Sequence, residues 1–358
     1  MARIRRWSWT YLFLLLGLFF VLTLFALPLL MSLLVKNPEL VPTEFIQYVV
    51  WIERLIEFAT LFFMCGWVMF VGGTFASFLN VVAWRVPRGQ SILGSSHCSY
   101  CATKLSFWDN LPFWGWLQNF GRCTTCGLPF SIRYFWVEVA LGLTFLLIVN
   151  AVLLTGGATL PIRIQDSLRP LSRMLLDPSR DLLTILIVQL LGVLVIFTFA
   201  LIDLERQRIP WSVFLTGVVG IAAFVIAFPN AILVSYGYPL SVESVGTLAG
   251  AMLTVVVGGI AGFAIGRILD ALIVNTQPNL MPRLTVGLSI VGMVVGWQSL
   301  IPVSIYWILL QRSLIDEAND DEFDRFNYLK NLYWSPNAKL LAAYLIHFLT
   351  WRWFDWLS

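Results

Sequence analysis

The chain has 358 residues, 59% hydrophobic and only 12% charged, with a formal net charge of +3 and a mean hydropathy of +0.81. Soluble domains carry about twice that charged fraction, so an ordinary water-soluble core is excluded and the bilayer becomes the solvent of the fold. The weak net charge and the lack of a basic stripe argue against nucleic acid as a partner, while 16 Trp and 27 Phe suit membrane interfaces.

The expected fold is an all-α polytopic membrane protein with about seven or eight transmembrane helices. In chain order, the apolar runs fall at about 8–35, 57–84, 134–156, 182–202, 211–230, 245–268 and 284–311. The first is too long for a signal-peptide core and has no small-residue cleavage site, so it reads as a retained helix. A last run at 338–357 is interrupted by His347, Arg352 and Asp355. It either spans or lies flat with its tryptophans at the headgroups. Four regions result: an extra N-terminal helix and loop (1–56), a helix pair enclosing a cysteine-rich loop (57–156), a helical core (157–311), and an acidic linker with an aromatic C-terminal helix (312–358).

Basic residues beside short loops set orientation. The start "MARIRR" places the N-terminus in the cytoplasm, and counting crossings places 85–133 there too, with Arg85, Arg88, Lys104, Arg122 and Arg133 against Asp109. The loop at 157–181 conflicts with this count, because it should face outward yet holds Arg163, Arg169, Arg173 and Arg180. The turn "IDLERQRIP" is cytoplasmic on the same count, and the acidic run "IDEANDDEFD" is external and reads as a solvated linker.

The loop contains "HCSYC" and "GRCTTCG", which present Cys98, Cys101, Cys123 and Cys126 as two CxxC pairs. Two such knuckles suit tetrahedral coordination of zinc by four thiolates, and four protein ligands make a structural rather than a catalytic site. A reducing cytoplasm disfavours disulfides there. Gly127 follows the second pair, where the turn calls for a positive φ. His97 adjoins a ligand but is surplus to a four-thiol set, and Cys65 within an apolar run behaves as a small hydrophobe. A loop this small needs an ion in place of a hydrophobic core.

Asp203 closes the apolar run "LLGVLVIFTFALID". An ionisable group at the end of a span is a functional candidate by default; on position alone the better reading is an interfacial acid paired with Arg206.

Several segments together resemble the bacterial prepilin peptidases, polytopic aspartyl proteases that trim and methylate type IV pilin precursors. They are "GGTFASFLNVVAWRVPRGQSI", the two knuckles, "FWDNLPFWGWL", "PFSIRYFWVEVALGLTF", "LIDLERQRIP" and "GWQSL", in that order, across about residues 57–311. Asn80, Arg85, Pro87, Arg88 and Glu138 fall where such proteins place them. The resemblance implies a multi-pass protein of the bacterial cytoplasmic membrane whose zinc-stapled loop covers the cytoplasmic mouth of the protease. It implies prepilin or pseudopilin precursors as partners, Asp203 as a catalytic acid, and S-adenosylmethionine as a methyl donor. No Gly-rich Rossmann turn supports a donor site independently.

Aspartyl hydrolysis needs two adjacent carboxyl groups, one ionised and one protonated. The family's second aspartate belongs to a G-x-G-D motif, and alignment back from "GMVVGWQ" sets that motif on "MPRL" (281–284), with Leu284 at the acid position. Trp211 likewise stands where an acid is common. Between Ala271 and Leu314 there is neither Asp nor Glu. Asp270 is the nearest substitute, though Arg267 one turn earlier suits an interfacial ion pair with it. Three readings follow: an active peptidase using another acid, a family member without proteolysis that binds pilin-like proteins, or one that retains methyl transfer alone.

Overall fold

The computed structural model describes residues 43–160, 179–232, 247–272, 283–317 and 335–351. Among these, every regular element is helical, and β pairing is limited to two isolated bridges. The protein is therefore all-α, as its composition implies. The expected helix at 8–35, most of the arginine-rich loop at 157–181 and most of the acidic run lie outside the described residues. Two compact units are distinguished, Met1–Trp67 and Val68–Ser358. The first contributes the start of helix α1 (Thr43–Arg85), with Trp51, Leu55, Phe58 and Phe62 exposed.

Within the second unit, α1 ends at Arg85 because Pro87 cannot extend the backbone ladder and Gly89 closes the turn at φ +68°. After the cysteine-rich loop and the short α2 (Trp114–Gln118), α3 (Arg133–Val149) runs into a π turn at Asn150–Leu154. Helices α1 and α3 cross at two glycines: a Cβ on Gly72 would lie 2.8 Å from the Gly142 Cα, and one on Gly142 would lie 2.9 Å from the Met69 carbonyl. Small residues at such a crossing let two membrane helices approach backbone to backbone.

Helix α4 (Arg180–Leu204) is capped by the Ser179 hydroxyl, which accepts from the Leu182 N–H at 3.3 Å. Helix α5 (Trp211–Ala227) follows a Pro210-led turn. Helices α6 (Leu248–Leu272) and α7 (Arg283–Val295) pack antiparallel along a seam of glycines. Gly258, Gly262 and Gly266 stand one turn apart, and a Cβ on any of them would lie within 2.5 Å of α7 backbone at Gly292, Leu288 and Thr285 respectively. The next residue in that series is Asp270, so the same face that brings the helices together carries the acid. All of α7 after Arg283 is buried, which makes it the centre of the core.

The run expected as one span at 284–311 is two helices, α7 and α8 (Leu300–Glu317). Gly296 at φ +84° ends α7, with its N–H on the Gly292 carbonyl at 3.0 Å. Hydropathy alone cannot register such a break. The C-terminal run forms α9 (Pro336–Thr350), which buries Leu340, Ala343, Tyr344 and Phe348 and packs against α4, α7 and α8. Its described part packs into the helical bundle. Among the described residues, four helical stretches are long and apolar enough to cross a membrane: Val50–Arg88, Arg133–Leu154, Arg180–Leu204 and Leu248–Ala271. Trp211–Ala227, Arg283–Val295 and Leu300–Gln311 are shorter apolar helices.

Candidate functional site

The two knuckles are near copies of one another. The first is clasped by a bridge between His97 and Lys104, the second by one between Arg122 and Pro129. In each, the leading cysteine donates its N–H across the clasp (Cys98 to the Thr103 carbonyl and Cys123 to that of Leu128, both 2.9 Å). The residue after the second cysteine takes a left-handed conformation, Ala102 at φ +54° and Gly127 at φ +73°. The glycine expectation thus holds at Gly127, while Ala102 meets the same demand without glycine's freedom.

These turns bring all four sulfurs within 4.8 Å of one another. Cys98 and Cys126 are 3.9 Å apart, as are Cys101 and Cys123. Four sulfurs placed tetrahedrally about 2.3 Å from one ion would be separated by about 3.8 Å, so the set fits a metal ion. The Thr103 hydroxyl, 3.3 Å from Cys101 Sγ, leads in lowering that thiol to about 6. At Cys126 the Leu128 N–H acts in the same direction, but desolvation and the three neighbouring sulfurs outweigh it and push the thiol up to about 11. The His97 ring faces the Ser95 hydroxyl at 3.3 Å and stands outside the sulfur cluster. Cys65 is half-buried on α1.

The loop between the knuckles is held by its own polar groups. Asp109 accepts from the Ser106 N–H and hydroxyl and from Asn119 Nδ2. Glu138 on α3 reaches back to accept the Phe113 N–H at 2.8 Å, fixing Phe113 at φ +60°, and the Phe113 ring fills the space left by Gly73. Arg85 donates to the Ser91 carbonyl and Arg88 to that of Trp84. Asn80 is half-buried.

Asp203 is 3% exposed and draws its partners from two distant helices. Its Oδ2 accepts from Asn337 Nδ2 at 2.8 Å, from the Asn337 N–H at 3.3 Å and from the Ser335 hydroxyl at 3.5 Å. Its Oδ1 lies 3.7 Å from Arg283 Nε. The interfacial pairing of Asp203 with Arg206 is thus replaced by a buried pairing with Arg283, because Arg206 belongs to the turn that terminates α4. Asn337 is fully buried and also donates to the Arg283 carbonyl at 3.2 Å. Gly287 leaves it room, since a Cβ there would lie 2.2 Å from its Oδ1.

Asp270 has a different task. It accepts from the Thr285 N–H at 3.0 Å, the Thr285 hydroxyl at 2.8 Å and the Leu284 N–H at 3.4 Å, so it caps the start of α7 from the neighbouring helix. Asp270 makes these contacts because it lies on the glycine face turned toward α7, and Arg267 acts on it only through its charge. Among the described residues, no hydrogen bond or ion pair joins Asp203 to Asp270 or to another carboxylate.

The sequence reasoning overlooked Arg283, Ser335 and Asn337 as partners of Asp203, which no local pattern connects to it. The cap did have a signal, the Gly258–Gly262–Gly266–Asp270 spacing.

Residues 70–152 match the model of the bacterial peptidase A24 N-terminal domain. A prepilin leader peptidase/N-methyltransferase of Myxococcus xanthus is 44% identical over 89 residues, 25% of this chain and 25% of that protein. One of Klebsiella pneumoniae is 37% identical over 105 residues, covering 27% and 46%. A type 4 prepilin-like proteins leader peptide-processing enzyme of Escherichia coli is 38% identical over 97 residues, covering 22% and 36%. The chain therefore spans between a quarter and a half of the length of these relatives. No solved structure matches. Residues 70–152, with their paired helices and cysteine knuckles, are therefore similar to the N-terminal domain of the bacterial A24 peptidases.

Proposed function

We propose that the chain binds prepilin- or pseudopilin-type precursors at the cytoplasmic membrane and does not cleave them by aspartyl chemistry. The observation that carries this reading is the state of Asp203. A catalytic acid pair needs a second carboxyl group within hydrogen-bonding reach and room for water and substrate. At Asp203 one carboxylate oxygen is held by Asn337 and Ser335, while the other faces the Arg283 guanidinium at 3.7 Å without a hydrogen bond. An arginine and a buried amide engage the carboxylate, which suits a structural anchor. Asp203 as a catalytic residue, the family role, would require that anchor to be dismantled in every turnover.

The partner class comes from the names of the relatives, which process prepilin leaders. The module that resembles theirs is intact, and its basic residues support a cytoplasmic position. We take its ion to be zinc, held structurally, because four thiolates leave no open coordination position for chemistry.

A second reading, methyl transfer without proteolysis, is favoured by the confinement of the family match to residues 70–152, which include neither Asp203 nor Asp270. S-adenosylmethionine would be the donor.

The test uses the full chain in nanodiscs with a prepilin from its own genome. The expected result is capture of the prepilin with its mass unchanged. Leader release that disappears in Asp203→Asn would overturn the proposal. Incubating precleaved pilin with S-adenosylmethionine decides the second reading by the gain, or not, of one methyl group.

A further inference from the structure

Glu205 stands two residues beyond Asp203 and receives an arginine from each end of the four-cysteine module. Arg88, in the turn that closes α1, brings Nη2 to 3.6 Å from Glu205 Oε2. Arg133, the first residue of α3, pairs its Nη1 with Oε1. Residues 89–132 lie between these arginines, so both covalent stalks of the module converge on one carboxylate.

Each participant is itself fixed. The Arg88 guanidinium lies 3.6 Å from the centre of the Trp84 ring and donates to the Trp84 carbonyl at 2.7 Å. Glu205 is the last residue of the α4 cap, with its N–H on the Leu201 carbonyl at 3.2 Å. Beyond it the Arg206 N–H returns to Asp203 at 2.8 Å and the Gln207 N–H to Ile202 at 3.2 Å, a Schellman closure. Its left-handed position is occupied by Arg206 at φ +54°, where glycine would be unstrained. Such a conformation persists only where its surroundings hold it. The Glu205 side chain is 11% exposed, which limits the screening that weakens surface ion pairs.

We propose that Glu205 is a positioning residue: it fastens both stalks of the module to the turn after Asp203, so that the module and this end of α4 move as one body. The same carboxylate then transmits any displacement of the module to the Asp203 anchor. The proposal does not depend on prepilin binding, and its test needs no prepilin.

Spin-labelled non-natural amino acids at exposed Thr124 and Arg208, in the full chain in nanodiscs, report the module-to-turn distance by pulsed electron paramagnetic resonance. We expect one narrow distribution in the wild type, at least a twofold broader one in Glu205→Gln, and partial recovery in Glu205→Asp. Arg88→Gln and Arg133→Gln should each broaden it, yet add little to Glu205→Gln. Metal content should stay at the wild-type value throughout. A Glu205→Gln distribution as narrow as the wild type would overturn the proposal. So would broadening accompanied by metal loss, which would assign Glu205 to the folding of the module. If Glu205→Gln does not fold, the two arginine variants decide, and unchanged distributions in both would refute it.

Discussion

The four-cysteine module and the acid site at the end of α4 are built on opposite plans. The module draws its chemistry from neighbours in sequence: two short clasped turns deliver four sulfurs, and local polar contacts at Asp109 shape what lies between. The acid site draws on residues 203, 283, 335 and 337, brought together only by packing of α4, α7 and α9. A local device tolerates rearrangement elsewhere in the chain. A long-range one changes character when a single contributor changes.

Removing the metal should break the contrast most completely. Zinc sites of this class supply about 10–16 kcal/mol of apparent folding energy, so a chelator, or Cys98→Ser with Cys123→Ser, should unfold residues 89–132 and leave the helical core standing. Limited proteolysis with mass mapping checks this. Binding must displace protons from the thiols, so apparent metal affinity should fall as pH falls. A competitive metal indicator across pH 5–8 would measure it.

In the core, Asp203→Ala should be the costliest single change. It leaves the Arg283 guanidinium without its counter-charge and Asn337 buried without an acceptor, worth about 3 kcal/mol or more in thermal unfolding in detergent. Gly262→Ala should follow at about 1–3 kcal/mol, since its Cβ would meet the Leu288 carbonyl and force α6 from α7. Asp270→Ala removes the cap of α7 and should cost about 1–2 kcal/mol. Arg267→Ala should change stability by less than about 0.5 kcal/mol, because Asp270 is satisfied by α7. A larger loss at Arg267 would restore the ion pair that the sequence suggests.

What was legible in the sequence follows the same division. The cysteine spacing, the Gly127 turn and the helical segments could be read directly, because CxxC pairs and apolar runs are local patterns. The break at Gly296 was hidden, since hydropathy is blind to one left-handed residue within an apolar run. The surroundings of Asp203 were not legible. Arg283 precedes the apolar run that begins at 284 and Asn337 precedes the one at 338, so neither stands out in the sequence as a partner of Asp203. Nothing in the spacing of residues 80 and 134 positions away from Asp203 indicates that they meet it.

Hydrogen exchange at the start of α9 tests the anchoring role of Asp203 most directly. Comparing wild type with Asp203→Ala, amides of residues 337–341 should lose protection while those of the four-cysteine module keep theirs, with Asp203→Asn in between. Unaltered protection of α9 in Asp203→Ala would contradict the account and return the carboxylate to the pool of groups free for chemistry.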